Sequence, residues 1–360
     1  MNGFSMEEVF QAYFDCRKNK RNTAAQVAFE QRLERNLMQI YRELSDRSYE
    51  IGRTRAFVVT EPKVREVWAG QFRDRVVHHV MYNRIFERFH KKFINDTYAC
   101  IPGRGVLHGA GRIHGFMRRA TENWQKKAWF LQCDLKNFFV SIDKDVLWEL
   151  SSPLLHEPEI RWITHKIIYH DPTDNPILTS PRHLYHQVPW HKSLFNSQGR
   201  GLPIGNLSSQ YFANVHLNPL DQFIKRDLGV KFYGRYVDDL ILIGRDPQWL
   251  SECFKAMQEF AEKKLRVEFH PNKTITNTVD RGVNFCGQIL KPWRNYVRSR
   301  TARSMRRSGM SCERYQDRKL WKSRVNSYLG FCRHACTYRL RKNLAMLTGA
   351  WFSQDLKKIA

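Results

Sequence analysis

Acidic residues are scarce in this chain. Across 360 residues, 35 Asp and Glu stand against 60 Lys and Arg, a formal net charge of +25. The surplus creates a strong positive field, whose usual partners are nucleic acid or an anionic membrane. Long apolar runs are missing too, and none approaches the ~18 residues a membrane-spanning helix needs. The N-terminus, MNGFSMEEVFQAYFDCRKNK, is a polar amphipathic stretch without the apolar centre of a signal peptide. A membrane partner is therefore the weaker reading, and the cytoplasm is the expected location. Cysteine offers no framework: Cys16, Cys100, Cys133, Cys253, Cys286, Cys312, Cys332 and Cys336 are scattered, as free thiols in a reducing compartment are. CRHAC (Cys332, His334, Cys336) lacks the second ligand pair of a zinc site, which favours helix packing. No internal repeat is present.

What is present begins with enough apolar material, 42% hydrophobic and 13% aromatic, for two or three packed units. Phe29, Leu33, Leu37, Ile40, Tyr41 and Leu44 recur at helical spacing and predict one helix over 23–47. AFVVTEPKVREVWAG alternates as a hairpin with its turn at Glu61–Pro62. Val76 to Phe89 mark a second long helix, AWFLQCDL reads as a strand ending at Asp134, and 144–170 reads as helical. From 171 to 200 the pattern dissolves into Pro, His, Asn and Ser, which predicts a long polar loop. Helix is expected again over 208–227, then a strand pair around Val237–Asp239 and a helix from Leu250 to Leu265. Short strands are expected at 267–269 and 283–290.

From Lys291 to Lys342 there are 16 Lys or Arg and two acids, Glu313 and Asp317, with Trp321, Tyr328 and Phe331 threaded among them. Such a segment fits a helical surface that tracks a phosphate backbone. Helix, mixed strands and helices, then a basic helical tail make an α+β core with a helical appendage.

Within this cationic chain, GRYVDDLILIG sets Asp238 and Asp239 beside an apolar run. Successive strand residues point to opposite faces, so both carboxylates cannot enter one core. A tight Asp-Asp turn presenting both at an exposed tip would resolve this. Two such charges repel unless a cation neutralises them. Asp134 ends another apolar strand, and carboxylates at strand ends suit hard divalent ions that also bind substrate phosphates. Two Mg²⁺ ions, about 3.5–4 Å apart, would organise in-line phosphoryl transfer.

Here a resemblance enters. YVDD resembles the catalytic tetrad of reverse transcriptases. CDLKNFFVSID, GLPIGNLSSQYFANVHLNPLDQF, LRVEFHPNKT and GVNFCGQIL resemble that family's neighbouring motifs in order, and EPKVREVWAGQFRDRVVHH resembles its fingers motif in bacterial members. The resemblance spans roughly residues 50 to 340 and implies a right-hand polymerase fold. Its implied divisions are an N-terminal helical extension (1–50), fingers (51–127), a first palm part (128–157), a fingers or insertion loop (158–205), a second palm part with primer grip (206–290) and a basic helical thumb (291–360).

The resemblance also implies roles. Asp134, Asp238 and Asp239 would hold two Mg²⁺ ions with the Leu135 carbonyl, and Lys273 would protonate pyrophosphate. Lys63 and Arg65 would clamp the incoming dNTP, and Phe139 would exclude a ribose 2′-hydroxyl. Ser209, Gln210, Tyr236 and Gly287 would border template and primer. Ile204 stands where many relatives carry glutamine, and Ile204 to Gln210 resembles the signature of diversity-generating retroelement polymerases, which copy a template RNA with errors at adenines. That implies a structured noncoding RNA, its cDNA and a small basic accessory protein as partners. An antiphage-defence reverse transcriptase, working with a dedicated RNA or a second polymerase subunit, remains open. So does a silent RNA-binding scaffold, although all three acids are in place. Nothing after Lys342 resembles a ribonuclease H, an endonuclease or an integrase.

Overall fold

Ser5 starts the first helix, α1 (Met6–Arg17), through a capping box: its hydroxyl accepts from Glu8 N–H while the Glu8 carboxylate accepts from Ser5 N–H. The structure, a computed structural model, describes residues 3–18, 22–61, 63–310 and 318–347. It holds two compact units, Met1–Asn95 with Asp134–Leu228 and Phe254–Pro271, and Asp96–Cys133 with Gly229–Cys253 and Asn272–Ala360.

In the first unit the stripe expected as one helix forms two, α2 (Ala24–Glu30) and α3 (Leu33–Ser45). Arg32 breaks it at φ −132°, ψ 44°, and the Phe29 carbonyl accepts from Arg32 N–H and from the Asn36 amide across the break. Leu37, Ile40 and Leu44 still bury one face. Arg84 of α4 (Phe72–His90) donates to Glu8 and to Glu159 of α8 (Pro158–Tyr169), tying three helices together. β1 (Arg55–Val59) and β2 (Arg65–Ala69) form the expected antiparallel hairpin, although Pro62 of its turn lies outside the described residues.

The stretch over 171–200 is more structured than its composition predicts. Its β4 (Ile177–Leu178) pairs in parallel with β1, and Glu66 on β2 accepts from Ser193 Oγ and Leu194 N–H. Buried backbone needs such partners, and here they come from side chains far away in sequence. The α6 turn (Phe138–Ser141), α7 (Lys144–Ser151), the short α9 (Arg182–Tyr185) and α10 (Leu207–Gln222) complete this unit. α10 is buried through most of its length, with Tyr211, Phe212, Leu217 and Leu220 almost inaccessible.

In the second unit β5 (Phe232–Tyr236), β6 (Asp239–Gly244) and β7 (Ile275–Thr278) form a sheet of order β5-β6-β3-β7 with β3 (Trp129–Asp134), which belongs to this unit up to Cys133. Helix α5 (Val106–Ala120) covers it, packing Ile113, Phe116 and Met117 with Phe130, Ile241 and Ile243. α11 (Pro247–Phe260) divides between the units. β8 (Val283–Phe285), β9 (Gln288–Lys291) and β10 (Arg294–Val297) make a second antiparallel sheet, where a single strand was expected over 283–290. At 267–269 only a bridge from Phe269 to Leu135 forms.

The basic tail supplies α12 (Ser299–Met310), α13 (Arg318–Cys332) and α14 (Tyr338–Leu347) around Met305, Trp321, Val325 and Leu344. Glu313 and Asp317 lie outside the described residues, as do Cys312 and 348–360. Cys332 is core, with Sγ 3.4 Å from Met305 Sδ, and Cys336 is exposed, so packing prevails over a metal pair in CRHAC. Arg303, Arg306 and Arg307 face solvent on α12. Among the described residues no helix is long and apolar enough to cross a membrane.

Two histidines of the first unit tie its stability to pH. Burial pushes His78 down to about 3 and His216 down to about 4, with Ser208 Oγ 2.8 Å from His78 Nδ1 and the Leu265 carbonyl 3.1 Å from His216 Nε2. The unfolded chain binds these protons near pH 6.5 and the folded chain does not. Stability is therefore full above pH 6.5 and falls on acidification toward pH 4, by up to about 1.4 kcal/mol per pH unit for each histidine. Urea unfolding between pH 7.5 and 4.5 is expected to show that loss, with a shallower slope in His78→Asn; a flat profile would contradict it.

Candidate active site

The β5–β6 register pairs Tyr236 with Asp239, which leaves Val237 and Asp238 as a two-residue loop. This corrects the expected Asp-Asp turn. Asp239 is the first residue of β6, and both carboxylates are half-buried, not held out at an exposed tip. The correction follows from the apolar run: burying Leu240 to Ile243 fixes the strand, and pairing then reaches back to Asp239. Val237 has φ +57°, while Asp238 is not among the positive-φ residues, the sign pattern of a II′ turn. A β-branched residue resists this region, and such strain amounts to about 1–3 kcal/mol.

Arg235 holds the turn. Its side chain is fully buried, and Nη1 donates to the Val237 carbonyl at 2.9 Å. Its backbone N–H donates to Asp96 O, and its carbonyl accepts from Tyr98 N–H. The preceding Gly234 admits the Tyr98 ring, since a Cβ there would lie 2.4 Å from the Tyr98 hydroxyl. Arg112 and Tyr98 both donate to the Asp96 carboxylate, which anchors the 96–98 segment.

Asp239 is held from a second direction. Gln132 on β3 donates through Nε2 to Asp239 Oδ1 at 2.8 Å and to Asn284 O at 2.9 Å. Burial, and then the Asp239 charge, push the Cys286 thiol up to about 12, so it stays protonated. Cys286 and Gly287 have φ +49° and +79° and form a two-residue hairpin loop that Phe331 packs against. Gly287 thus has a conformational reason to be glycine. Burial raises the pKa of half-buried Tyr236. Lys273 is exposed just before β7.

The first unit holds the other expected site residues. Asp134, half-buried at the end of β3, accepts at its backbone carbonyl from His270 N–H, and Lys136 N–H donates to Glu268 O. Between those two bonds buried Leu135 bridges antiparallel to Phe269. Phe138 is core, while Phe139 is half-buried with its carbonyl fixed by Leu202 N–H at 2.7 Å. Ile204 is half-buried, and its carbonyl accepts from Trp68 N–H, which ties this turn to β2. Ser209 is 2% exposed whereas Gln210, beside it at the start of α10, is exposed. Lys63 and Arg65 are exposed, with Arg65 opposite Val59.

Residues 62–290 match the family model described as reverse transcriptase (RNA-dependent DNA polymerase). That is more than half of the chain, and the chain belongs to this family. Its mixture of helices and antiparallel sheets is the right-hand polymerase fold. Similar solved structures include apo telomerase from Candida tropicalis truncated from its C-terminal domain, at 12% identity and TM-score 0.48, covering 68% of this chain and 55% of that one. Telomerase from Candida albicans in complex with a TWJ fragment of telomeric RNA gives 12% and 0.46, with 88% and 57% covered. Apo telomerase from Candida tropicalis gives 10% and 0.49, with 86% and 59% covered. The chain thus spans little more than half of these structures. No curated protein sequence matches it.

The family implies divalent metal ions. Among the described residues no three His, Cys, Asp or Glu side chains are gathered to hold a metal on their own. Mg²⁺ commonly takes one or two carboxylates and completes its shell with water and substrate phosphate. A half-buried Asp238 at a fixed turn, with Asp239 already bonded through one oxygen, fits that open kind of site.

Arg235 and Gln132 do not stand out in the sequence. Beside an acidic pair an arginine reads as a surface ion pair, and a strand glutamine as solvent-facing. Arg235→Met, which keeps the stem and removes the donors, is expected to destabilise the fold by about 2–3 kcal/mol in urea unfolding. A change below about 1 kcal/mol would mean that the turn is held by something else.

Proposed function

We propose that this chain copies RNA into DNA by phosphoryl transfer, with Asp134, Asp238 and Asp239 holding two Mg²⁺ ions and the Leu135 carbonyl adding an oxygen. One observation carries the reading: the strained Val237–Asp238 turn sits at the head of β6, and β6 neighbours β3, whose last residue is Asp134. Ions bound there would activate the primer 3′-hydroxyl and neutralise the leaving pyrophosphate.

The chain's own groups do the rest. Arg65 offers the triphosphate a planar fork and Lys63 a compact charge, both from exposed positions. Phe139, its backbone fixed by Leu202, closes the space a 2′-hydroxyl needs, so dNTPs are selected by exclusion. Lys273 hands a proton to pyrophosphate. Tyr236 and Gly287 face the primer and Gln210 the template, with Ser209 buried beside it. Residues 51–127 and 158–205 act as fingers, 128–157 and 206–290 as palm, and 291–360 as a thumb that tracks phosphates, while 1–50 extends the fingers.

The template is a dedicated noncoding RNA met in the cytoplasm, and the finer role is error-prone copying for diversification. Ile204 supports it, because an aliphatic side chain offers the nascent base pair no hydrogen bond and leaves discrimination to shape. A small basic accessory protein fits that role, whereas antiphage defence would call for a second polymerase subunit or unlinked cDNA. Sequencing the nucleic acid that copurifies with the chain separates the two.

Asp238→Asn is expected to lower metal-dependent dNTP incorporation about a hundredfold or more while RNA binding survives; retained incorporation would refute the carboxylate assignment. Ile204→Gln is expected to reduce misincorporation opposite template adenine in a single-cycle sequencing assay. An unchanged error rate would remove the support for diversification.

A further inference from the structure

A cleft of about 720 Å³ opens within the first unit, between α2 and the β1–β2–β4 sheet. It has the size of a ligand site, and none of the candidate active-site residues lines it. Its apolar part is formed by Ala25 and Ala28, exposed on α2, and by the half-buried rings of Phe29 and Phe57. Its charge has one sign: Arg55, Arg73 and Arg75 line it, and no Asp or Glu does.

Two of these arginines are held in place. Arg73 pairs with Glu43 and lies over the Tyr49 ring at 5.0 Å, and its buried Nε finds no hydrogen-bond acceptor. Arg75 donates through Nε to the Gly70 carbonyl. Arg55 is exposed at the start of β1. Flat apolar walls with guanidinium groups at their margin suit a nucleobase flanked by phosphates.

Strand register gives the cleft a direction. Arg55 pairs with Ala69, Phe57 with Val67 and Val59 with Arg65, so these residues share one face of the hairpin. The cleft thus lies on the face that carries Arg65, whose strand partner Val59 is about 13 Å from Arg55 and about 7 Å from Phe57 along β1 at ~3.3 Å per residue. A strand that runs along this face passes from the triphosphate position to the cleft.

We infer that the cleft is a subsite for single-stranded RNA, in which one base lies against Phe57 and the α2 alanines and its phosphates meet Arg55 and Arg75. The identification of that strand as template rests on the RNA-copying reading; the binding itself does not. Free nucleotides carry the same chemistry, and the test distinguishes them from a strand.

The full chain is incubated in EDTA with a fluorescein-labelled oligouridylate carrying 4-thiouridine, so that binding is measured without catalysis. Crosslinks are expected in peptides containing 24–39, 55–57 or 69–75. Ala28→Trp, which fills the cleft from an exposed position, and Arg55→Glu are each expected to lower those crosslinks at least tenfold with unaltered thermal melts. Uridine monophosphate is expected not to compete. Crosslinks confined to other peptides, or both variants labelling like the unmodified chain, would overturn the inference, and full competition by the mononucleotide would overturn its strand form. Because no incorporation is read, loss of polymerase activity in a separate assay leaves this result interpretable.

Discussion

The buried guanidinium of Arg235 is the contact on which the candidate site depends. A charge removed from water is tolerated only where hydrogen bonds receive it. Here one of them goes to the carbonyl of Val237, a residue whose side chain opposes the backbone angle it adopts. The strain at Val237 and the burial of Arg235 are thereby coupled, and the result is a fixed position for Asp238. Asp239 is fixed separately, through Gln132, to the strand that carries Asn284. One acid sits on a strained loop and its neighbour on a paired strand, which gives adjacent, identical residues different freedom.

The same device recurs in the second unit. Cys286 and Gly287 also close a two-residue hairpin at positive φ, and Phe331 from the basic helical segment packs against that loop. The C-terminal helices therefore bear directly on the β8–β9 hairpin. In the first unit the backbone of Phe139 and of Ile204 is bonded to residues distant in sequence, Leu202 and Trp68. Residues proposed to touch nucleotide thus rest on paired backbone, which holds a site more closely than a free loop does.

Much of this was legible in the residues. Apolar runs such as FLQC and LILI predicted β3 and β6, and the Val76–Phe89 stripe predicted α4, because burial imposes period on composition. The acid set and the order of the motifs pointed to the family. The rest depended on tertiary contacts that no local pattern carries. Val237 is not a turn residue by propensity, so local pattern places the loop one residue too far along. The break at Arg32 interrupts no apolar period. β4 is two residues in a polar stretch, ordered only because β1 and Glu66 offer it partners. Arg235 and Gln132 are polar residues whose burial and bonding arise only when the sheet assembles.

Strained turn, clamped second carboxylate and basic helical segment are what the proposed task asks for, holding a growing nucleic-acid end against a nucleotide whose charge must be neutralised. The most direct measurement is a structure of the chain with an RNA template, a dideoxy-terminated DNA primer, a dNTP and Mg²⁺. It should contain two ions about 3.5–4 Å apart, bridged by carboxylates of Asp134 and Asp238 and by triphosphate oxygens. A primer end and dNTP bound elsewhere, or Asp134 and Asp238 too far apart to share an ion, would contradict it.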